Sequence, residues 1–236
     1  MSATDRGLWC IVPAAGRGSR FGGDIPKQYL MLGGRMLLLH TLERLAAHPQ
    51  VAGLVVAIAA DDSRWPGVRD CAGKPVLTAV GGAQRSDSVL AGLRALRGQV
   101  RDDEFVLVHD AARPCVPAQD ITRLIEFGIP AGGALLAAPL RDTLKRADPA
   151  QRVAATEPRA GLWRALTPQL FRLGELSAAL ESARQAGSEA TDEAMAMERM
   201  GHRPLLVEGA ESNIKVTTPA DLALAEFLVG GLSAEG

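Results

Sequence analysis

A chain of 236 residues with 47% hydrophobic but only 4% aromatic content can bury a large core of Val, Leu, Ile and Ala, and it suits a single α/β domain over residues 1–236 with at most a small appendage. The formal net charge of −1 gives no global basic field, which argues against nucleic acid or an anionic membrane as partner. Three cysteines, Cys10, Cys71 and Cys115, without a C-x-x-C, argue against a disulfide framework or a zinc site and for a reducing cytoplasm; no apolar run approaches the ~18–20 residues of a membrane span, and residues 1–7 carry no signal-peptide core.

Residues 8–12 are continuously apolar and predict a first strand buried on both faces. The strand runs into Pro13-Ala14-Ala15-Gly16-Arg17-Gly18-Ser19-Arg20, with Pro26-Lys27-Gln28 after a short gap. Gly16 and Gly18 let the backbone turn sharply and come close to a ligand. Arg17, Arg20 and Lys27 add cations, so the loop reads as a polyphosphate site rather than a surface turn. A dinucleotide fingerprint would need glycine where Phe21 stands, and the chain has no P-loop G-K-[ST] run.

The spacing of Leu38, Leu42, Leu45 and Ala46 predicts a helix over 36–48, ending before Pro49. A second buried strand is expected over 54–59, a short helical piece over 61–69 and a third strand over 75–80. Gly81-Gly82 joins that strand to an amphipathic helix over 84–97, with Val89, Leu90, Leu93 and Leu96 inward. The plain reading of this turn is a helix start capped by Ser86 or Asp87. The functional reading is a base and ribose pocket made by the Gly81 and Gly82 backbone, with Arg85 and Ser88 beside it.

A fourth strand over 105–109 delivers Asp110. An acid at a strand's carboxyl end beside a phosphate site is the usual holder of Mg²⁺, so Asp110 is the candidate metal ligand. His109 reads as a packed histidine. Arg113 either binds substrate phosphate or pairs with an acid. A helix over 117–127, with Pro117 in its first turn, and a fifth strand over 134–139 follow. Strands alternating with helices predict an α/β fold, a doubly wound and mainly parallel sheet with both faces covered. Ligands of such sheets sit at the carboxyl ends of the strands, near a switch in strand order.

Residues 142–156 break the alternation. Thr143-Leu144-Lys145 and Val153-Ala154-Ala155 flank the turn-like Ala147-Asp148-Pro149-Ala150, which predicts a β-hairpin arm over about 139–160. A lone two-stranded arm is marginal in water, so pairing with a second subunit is expected. Beyond it, 162–166 rejoin the sheet, 173–185 form a helix closed by Gly187, and 191–200 form a helix with Thr191 as cap and Asp192 and Glu193 favouring its positive end. A strand over 205–208, an extended piece over 213–216 and a last helix over 219–228, capped by Thr218, complete the chain. Thr167-Pro168-Gln169 reads as a turn bordering the site. Arg141, Arg159 and Lys215 each have a solvating-charge reading, which suits Lys215 least, since Ile214 and Val216 flank it.

The pattern P-A-A-G-x-G-x-R followed by P-K-Q, together with H-D-A-A-R-P over 109–114 and N-I-K-V-T over 213–217, resembles the nucleotidylyltransferases, and most closely the 2-C-methyl-D-erythritol 4-phosphate cytidylyltransferase family. The resemblance runs from about Cys10 to Leu228. It implies a Rossmann-like nucleotidyltransferase fold, a homodimer interlocked through the arm, CTP and a polyol phosphate as substrates, Mg²⁺ as cofactor and a step in the non-mevalonate route to isoprenoids. Arg20, Lys27 and Lys215 are the candidate catalytic residues, and the resemblance also sets Lys215 against the polyol phosphate. Nucleotide binding falls to Pro13, Ala14, Ala15, Gly16, Gly18, Gly81, Gly82, Arg85 and Ser88. Polyol-phosphate binding falls to Asp110, Arg113, Thr143, Arg159 and Thr167, with the arm's arginine supplied by the partner. Ala83 stands where some members carry an acid, so recognition of the cytosine amino group would fall to backbone carbonyls. Transfer to another polyol phosphate, such as ribitol 5-phosphate, and a nucleotide-sensing module without turnover are the alternative functions.

Overall fold

The computed structural model describes residues 7–16, 25–188 and 190–232. Its centre is β1 (Leu8–Pro13), a strand whose side chains alternate between two cores. After β1 come a one-turn 3-10 helix (Lys27–Tyr29), a miniature hairpin of β2 (Met31–Leu32) and β3 (Arg35–Met36), and helix α1 (Leu37–Ala46). Strand β4 (Val51–Ile58), the short β5 (Asp70–Cys71), β6 (Lys74–Val80) and helix α2 (Arg85–Ala95) follow. Next are β7 (Phe105–Val108), α3 (Ala118–Ala131) and β8 (Ala134–Pro139), then the arm strands β9 (Leu144–Ala147) and β10 (Val153–Glu157). The chain continues with β11 (Trp163–Arg172), α4 (Leu173–Gln185), α5 (Glu193–Arg199), β12 (Leu205–Glu208) and α6 (Pro219–Leu232).

Eight strands form the main sheet in the order β12-β8-β11-β7-β1-β4-β6-β5. Pairs β12·β8, β7·β1, β1·β4 and β4·β6 are parallel, while β11 runs antiparallel to both β7 and β8, and β5 antiparallel to β6. The chain builds β4 and β6 on one side of β1 and β7 on the other, so strand order reverses beside β1. The divergence of the two following loops at such a point opens a crevice.

Period-2 alternation distributes β1 between the layers. Cys10 and Val12 face a core with Leu38, Leu42 and Leu45 of α1 and Ile121, Leu124 and Ile125 of α3. Ile11 faces the opposite core with Val89, Leu90 and Leu93 of α2, Leu176 and Leu180 of α4 and Met197 of α5. Each such buried aliphatic side chain contributes about 1.5–3 kcal/mol relative to exposure. A third cluster, with Leu32, Leu37, Ala112, Cys115, Val216 and Ala225, seats α6 beside the loop after β7.

Three local readings need correction. Residues 61–69 are not helical, because Asp62 accepts from the Arg64 amide at 3.0 Å and Pro66-Gly67 interrupts any continuing turn. The strand expected over 162–166 is the ten-residue, antiparallel β11, and it absorbs the Thr167-Pro168-Gln169 turn. Helix α5 starts at Glu193, with Asp192 rather than Thr191 accepting from the Met195 amide at 2.9 Å. The piece over 213–216 belongs to neither a helix nor a strand; Val216 donates to the Ala112 carbonyl at 2.8 Å and so lies against the loop after β7. The arm is a separate two-stranded antiparallel sheet of β9 and β10.

Candidate active site

The loops at the carboxyl ends of β1, β6 and β7 and the segment before α6 enclose a cleft of about 580 Å³, open to solvent on one side. From β1 it takes residues 13–16, from the 3-10 turn Lys27 and Gln28, and from the start of α2 Gly82, Ala83, Gln84, Arg85 and Ser88. Asp110, Ala111 and Ala112 form another part of the wall, with Lys215 beside Asp110. Gly18 and Arg20, and with them half of the glycine loop, lie outside the described residues.

What remains of that loop is held by a side chain the sequence reading gave no role. Gln28, 4% exposed, donates from Nε2 to the Ala14 carbonyl at 2.7 Å and the Gly16 carbonyl at 3.0 Å. One amide thus ties down both carbonyls, and the 3-10 turn carrying Gln28 sets the adjoining Lys27 on the cleft wall.

The second glycine turn is as closely built. A Cβ on Gly82 would stand 2.4 Å from the Asp87 Cβ, and one on Gly81 would stand 2.7 Å from both the Ala15 Cβ and the Ser88 Oγ. Both glycines are therefore required by close approach. Ser88, nearly buried, donates to the Gln84 carbonyl at 3.2 Å and accepts from the Gly82 amide at 3.3 Å. Asp87 accepts from the Gln84 amide at 3.2 Å, so the helix start is closed by Asp87 from within the first turn.

Asp110 is the electrostatic centre. Its Oδ1 lies 2.8 Å from Arg85 Nε, and its Oδ2 lies 2.8 Å from Lys215 Nζ and 3.4 Å from Arg113 Nε. Burial alone would raise its pKa, but Arg85, Lys215 and Arg113 together hold it well below the ordinary carboxylate range. Arg85 continues to Glu193, which accepts from Nη1 at 2.5 Å and Nη2 at 3.0 Å. Burial opposes the charge on Arg85, yet Glu193 and Asp110 outweigh it and hold the guanidinium protonated. Burial also pushes the Glu193 carboxyl up, with Arg85 pulling the other way.

Behind Asp110 lies a relay of neutral groups. His109 Nε2 faces the Arg113 carbonyl at 3.0 Å and so carries the proton, which leaves Nδ1 to accept from the Thr167 hydroxyl at 3.0 Å. The same hydroxyl accepts from the Asp110 amide at 3.0 Å. Burial depresses the His109 pKa to about 4, so the ring stays neutral. Asn213 donates to the Thr167 carbonyl and Arg113 to the Asn213 carbonyl, both at 2.7 Å, which pins the Lys215 segment to this relay.

The cleft thus gathers Pro13, Ala14, Ala15, Gly16, Lys27, Gly82, Arg85, Ser88, Asp110 and Lys215. Gly81 stands just behind its wall. Arg113 and Thr167 are buried and bound to Asp110 and its loop rather than lining the cleft. Thr143 and Arg159 lie exposed at the base of the arm, where Arg159 donates to the Arg141 carbonyl. Glu193 and Gln28 are the members of the site that sequence reasoning missed.

A magnesium ion held by Asp110 fits this arrangement poorly. Both carboxylate oxygens already have cationic partners at 2.8 Å, so a metal ion there would compete with Arg85 and Lys215 for them.

The family model for 2-C-methyl-D-erythritol 4-phosphate cytidylyltransferase matches residues 8–231. A protein of that name from Stenotrophomonas maltophilia strain K279a is 63% identical over 223 residues, covering 94% of this chain and 96% of the relative. Another of that name from Xanthomonas oryzae pv. oryzae strain PXO99A is 63% identical over 221 residues, 93% and 81% of the two chains. Among solved structures, a 4-diphosphocytidyl-2C-methyl-D-erythritol synthase superposes with a TM-score of 0.82 at 37% identity, covering 95% of this chain and 99% of that one. The Francisella tularensis 2-C-methyl-D-erythritol 4-phosphate cytidylyltransferase gives 0.81 at 34%, covering 94% and 99%.

Proposed function

Because the chain belongs to the 2-C-methyl-D-erythritol 4-phosphate cytidylyltransferase family, we infer that its cleft moves CMP from CTP to 2-C-methyl-D-erythritol 4-phosphate, releasing pyrophosphate and CDP-methylerythritol. The observation that carries the residue assignment is the convergence of Lys27 and Lys215 with two glycine turns on one cleft. Backbone groups of residues 13–16 and the Gly81-Gly82 turn receive the nucleotide, with Gly18 continuing the first loop and Arg85 and Ser88 walling the second. The acceptor's phosphate oxygen attacks the α-phosphorus in line. A phosphate monoester has a second pKa of ~6 and is already anionic near neutral pH, so no general base is required. Catalysis then rests on alignment and on cations set where charge accumulates, a role given to Lys27 and Lys215 and, from the loop outside the described residues, to Arg20.

Asp110 is proposed to work by seating Lys215, with Thr167 and Arg113 fixing Asp110 from behind. Magnesium is assigned to the nucleotide's own phosphates, in keeping with an ion that prefers phosphates and water to a protein cage. Thr143 and Arg159 are proposed to meet the acceptor's phosphate at a subunit boundary, the arginine from the partner. Support for a homodimer comes from the arm, which leaves the main sheet as two exposed strands, with Val153 on it and Leu162 and Trp163 after it left in solvent. The described residues hold no helix long and apolar enough to cross a membrane, and the three cysteines are unpaired, which supports assignment to the cytoplasm. Pyrophosphate release measured across four nucleotides and two polyol phosphates tests the reading. CTP with methylerythritol phosphate should exceed every other pair, and a preference for ribitol 5-phosphate would replace the acceptor.

A further inference from the structure

Helix α5 begins behind the cleft-lining Arg85, yet its first residue is not spent on the helix. Asp192 supplies the cap by accepting from the Met195 amide, and Gln169 of β11 holds the helix start, accepting from the Ala194 amide at 2.8 Å and donating to Asp192 at 3.0 Å. Glu193 is thereby free to point inward. It is 0% exposed and uses both oxygens on the two terminal nitrogens of Arg85. The remaining nitrogen of that guanidinium, Nε, holds Asp110, whose other oxygen holds Lys215. We propose that Glu193 is a positioning residue for nucleotidyl transfer: it keeps Arg85 on Asp110 and away from the triphosphate, so that Arg85 anchors one carboxylate oxygen of Asp110 while the other seats the Lys215 ammonium.

A side chain with a buried full charge on one partner is expensive to desolvate and is tolerated where its geometry is needed. A guanidinium is a fork that matches phosphate as well as carboxylate. Arg85 lines the cleft, and without Glu193 its two terminal nitrogens would turn to the nearest polyanion, the bound nucleotide. The ground-state complex would gain a contact while the Asp110 carboxylate, released on its Arg85 side, would no longer fix the position of Lys215. Binding that does not grow in the transition state lowers KM without raising kcat. The signature is therefore a split, not a general loss.

This inference rests on the activity proposed above. Steady-state pyrophosphate release with CTP and methylerythritol phosphate is measured for the wild type, Glu193→Gln, Arg85→Gln and the double variant. In Glu193→Gln, kcat should fall tenfold or more while KM for CTP stays level or drops. The double variant should match Arg85→Gln alone, because Glu193 acts only through Arg85. A raised KM with kcat unchanged, or a double variant tenfold slower than Arg85→Gln, overturns the proposal. The comparison of the double variant with Arg85→Gln decides the matter even if Glu193→Gln fails to fold. Absence of turnover in the wild type would instead overturn the activity itself.

Discussion

The Lys215 ammonium stands 2.8 Å from the Asp110 carboxylate, joining the segment before the last helix to the end of a central strand. That pairing sets a charge donor on the wall of the cleft that Lys27 also lines. Removing either ammonium should leave the fold intact, since Lys215 is partly exposed and Lys27 sits on a single 3-10 turn. Lys27→Ala and Lys215→Ala should each lower kcat by at least about tenfold, in line with losses of one aimed donor, with unchanged circular dichroism. Full turnover in Lys27→Ala would take that lysine out of the chemistry.

Gln28 should matter for binding and for stability together. Gln28→Ala deletes both bonds to the first loop and leaves the Ala14 carbonyl unsatisfied, a change costing about 1–3 kcal/mol. A thermal melt should shift down by several degrees and KM for CTP should rise. A variant with wild-type melting and wild-type KM would show that the loop holds its shape unaided.

The second glycine turn predicts a sharper effect. An alanine at Gly82 would set its Cβ 2.4 Å from the Asp87 Cβ, an atom fixed to the α2 backbone. The turn must open, so Gly82→Ala should weaken CTP binding far more than it lowers the melting temperature. Calorimetric titration with CTP measures this, and an unchanged affinity would refute the close-approach argument.

His109 predicts an acid limb in stability. Its pKa falls from 6.5 to about 4 on folding because burial excludes the charged ring. Between those values the unfolded chain binds more protons, so stability is complete above pH 6.5 and is lost as the pH falls toward 4, by up to about 3 kcal/mol. Burial depresses His48 in the same direction, so the comparison is the slope of stability against pH in wild type and in His109→Gln. The variant should have the shallower slope; equal slopes would place the effect elsewhere.

The proposed homodimer is tested by complementation. Arg159→Ala subunits mixed with Lys27→Ala subunits should recover part of the activity if the arginine serves its neighbour's cleft. No recovery in mixed dimers shown to form would put Arg159 in its own subunit's site or outside the chemistry.

Strong local patterns translated directly into elements. The limits expected for α4 and β12 are those observed, because an apolar stripe or a short run bounded by turn residues specifies both type and length. Gly81-Gly82 and Asp110 were legible for a related reason, since each stands where a strand stops, and Lys215 because a charge flanked by Ile214 and Val216 is out of place as a solvating residue. The length of β11 was hidden by Pro168, a residue that normally argues against a strand. It is accommodated at a register shift against β8. Glu193 was hidden by a competing explanation. An acidic pair before a helix looks like a cap, and Asp192 is one, but nothing local says that the neighbouring carboxylate reaches Arg85, 108 positions earlier. Gln28 was missed because its partners are backbone carbonyls, which have no signature in sequence.

Building one cleft from stretches as far apart as Pro13 and Lys215 has a consequence for biogenesis. A nascent chain that has left the ribosome only as far as β8 already owns the first glycine turn, the second and Asp110. Its aspartate, however, lacks the lysine, and Arg85 lacks its glutamate. Both partners come from the final quarter of the polypeptide, so the ion-pair chain is completed late, with the addition of β12 to the edge of the sheet.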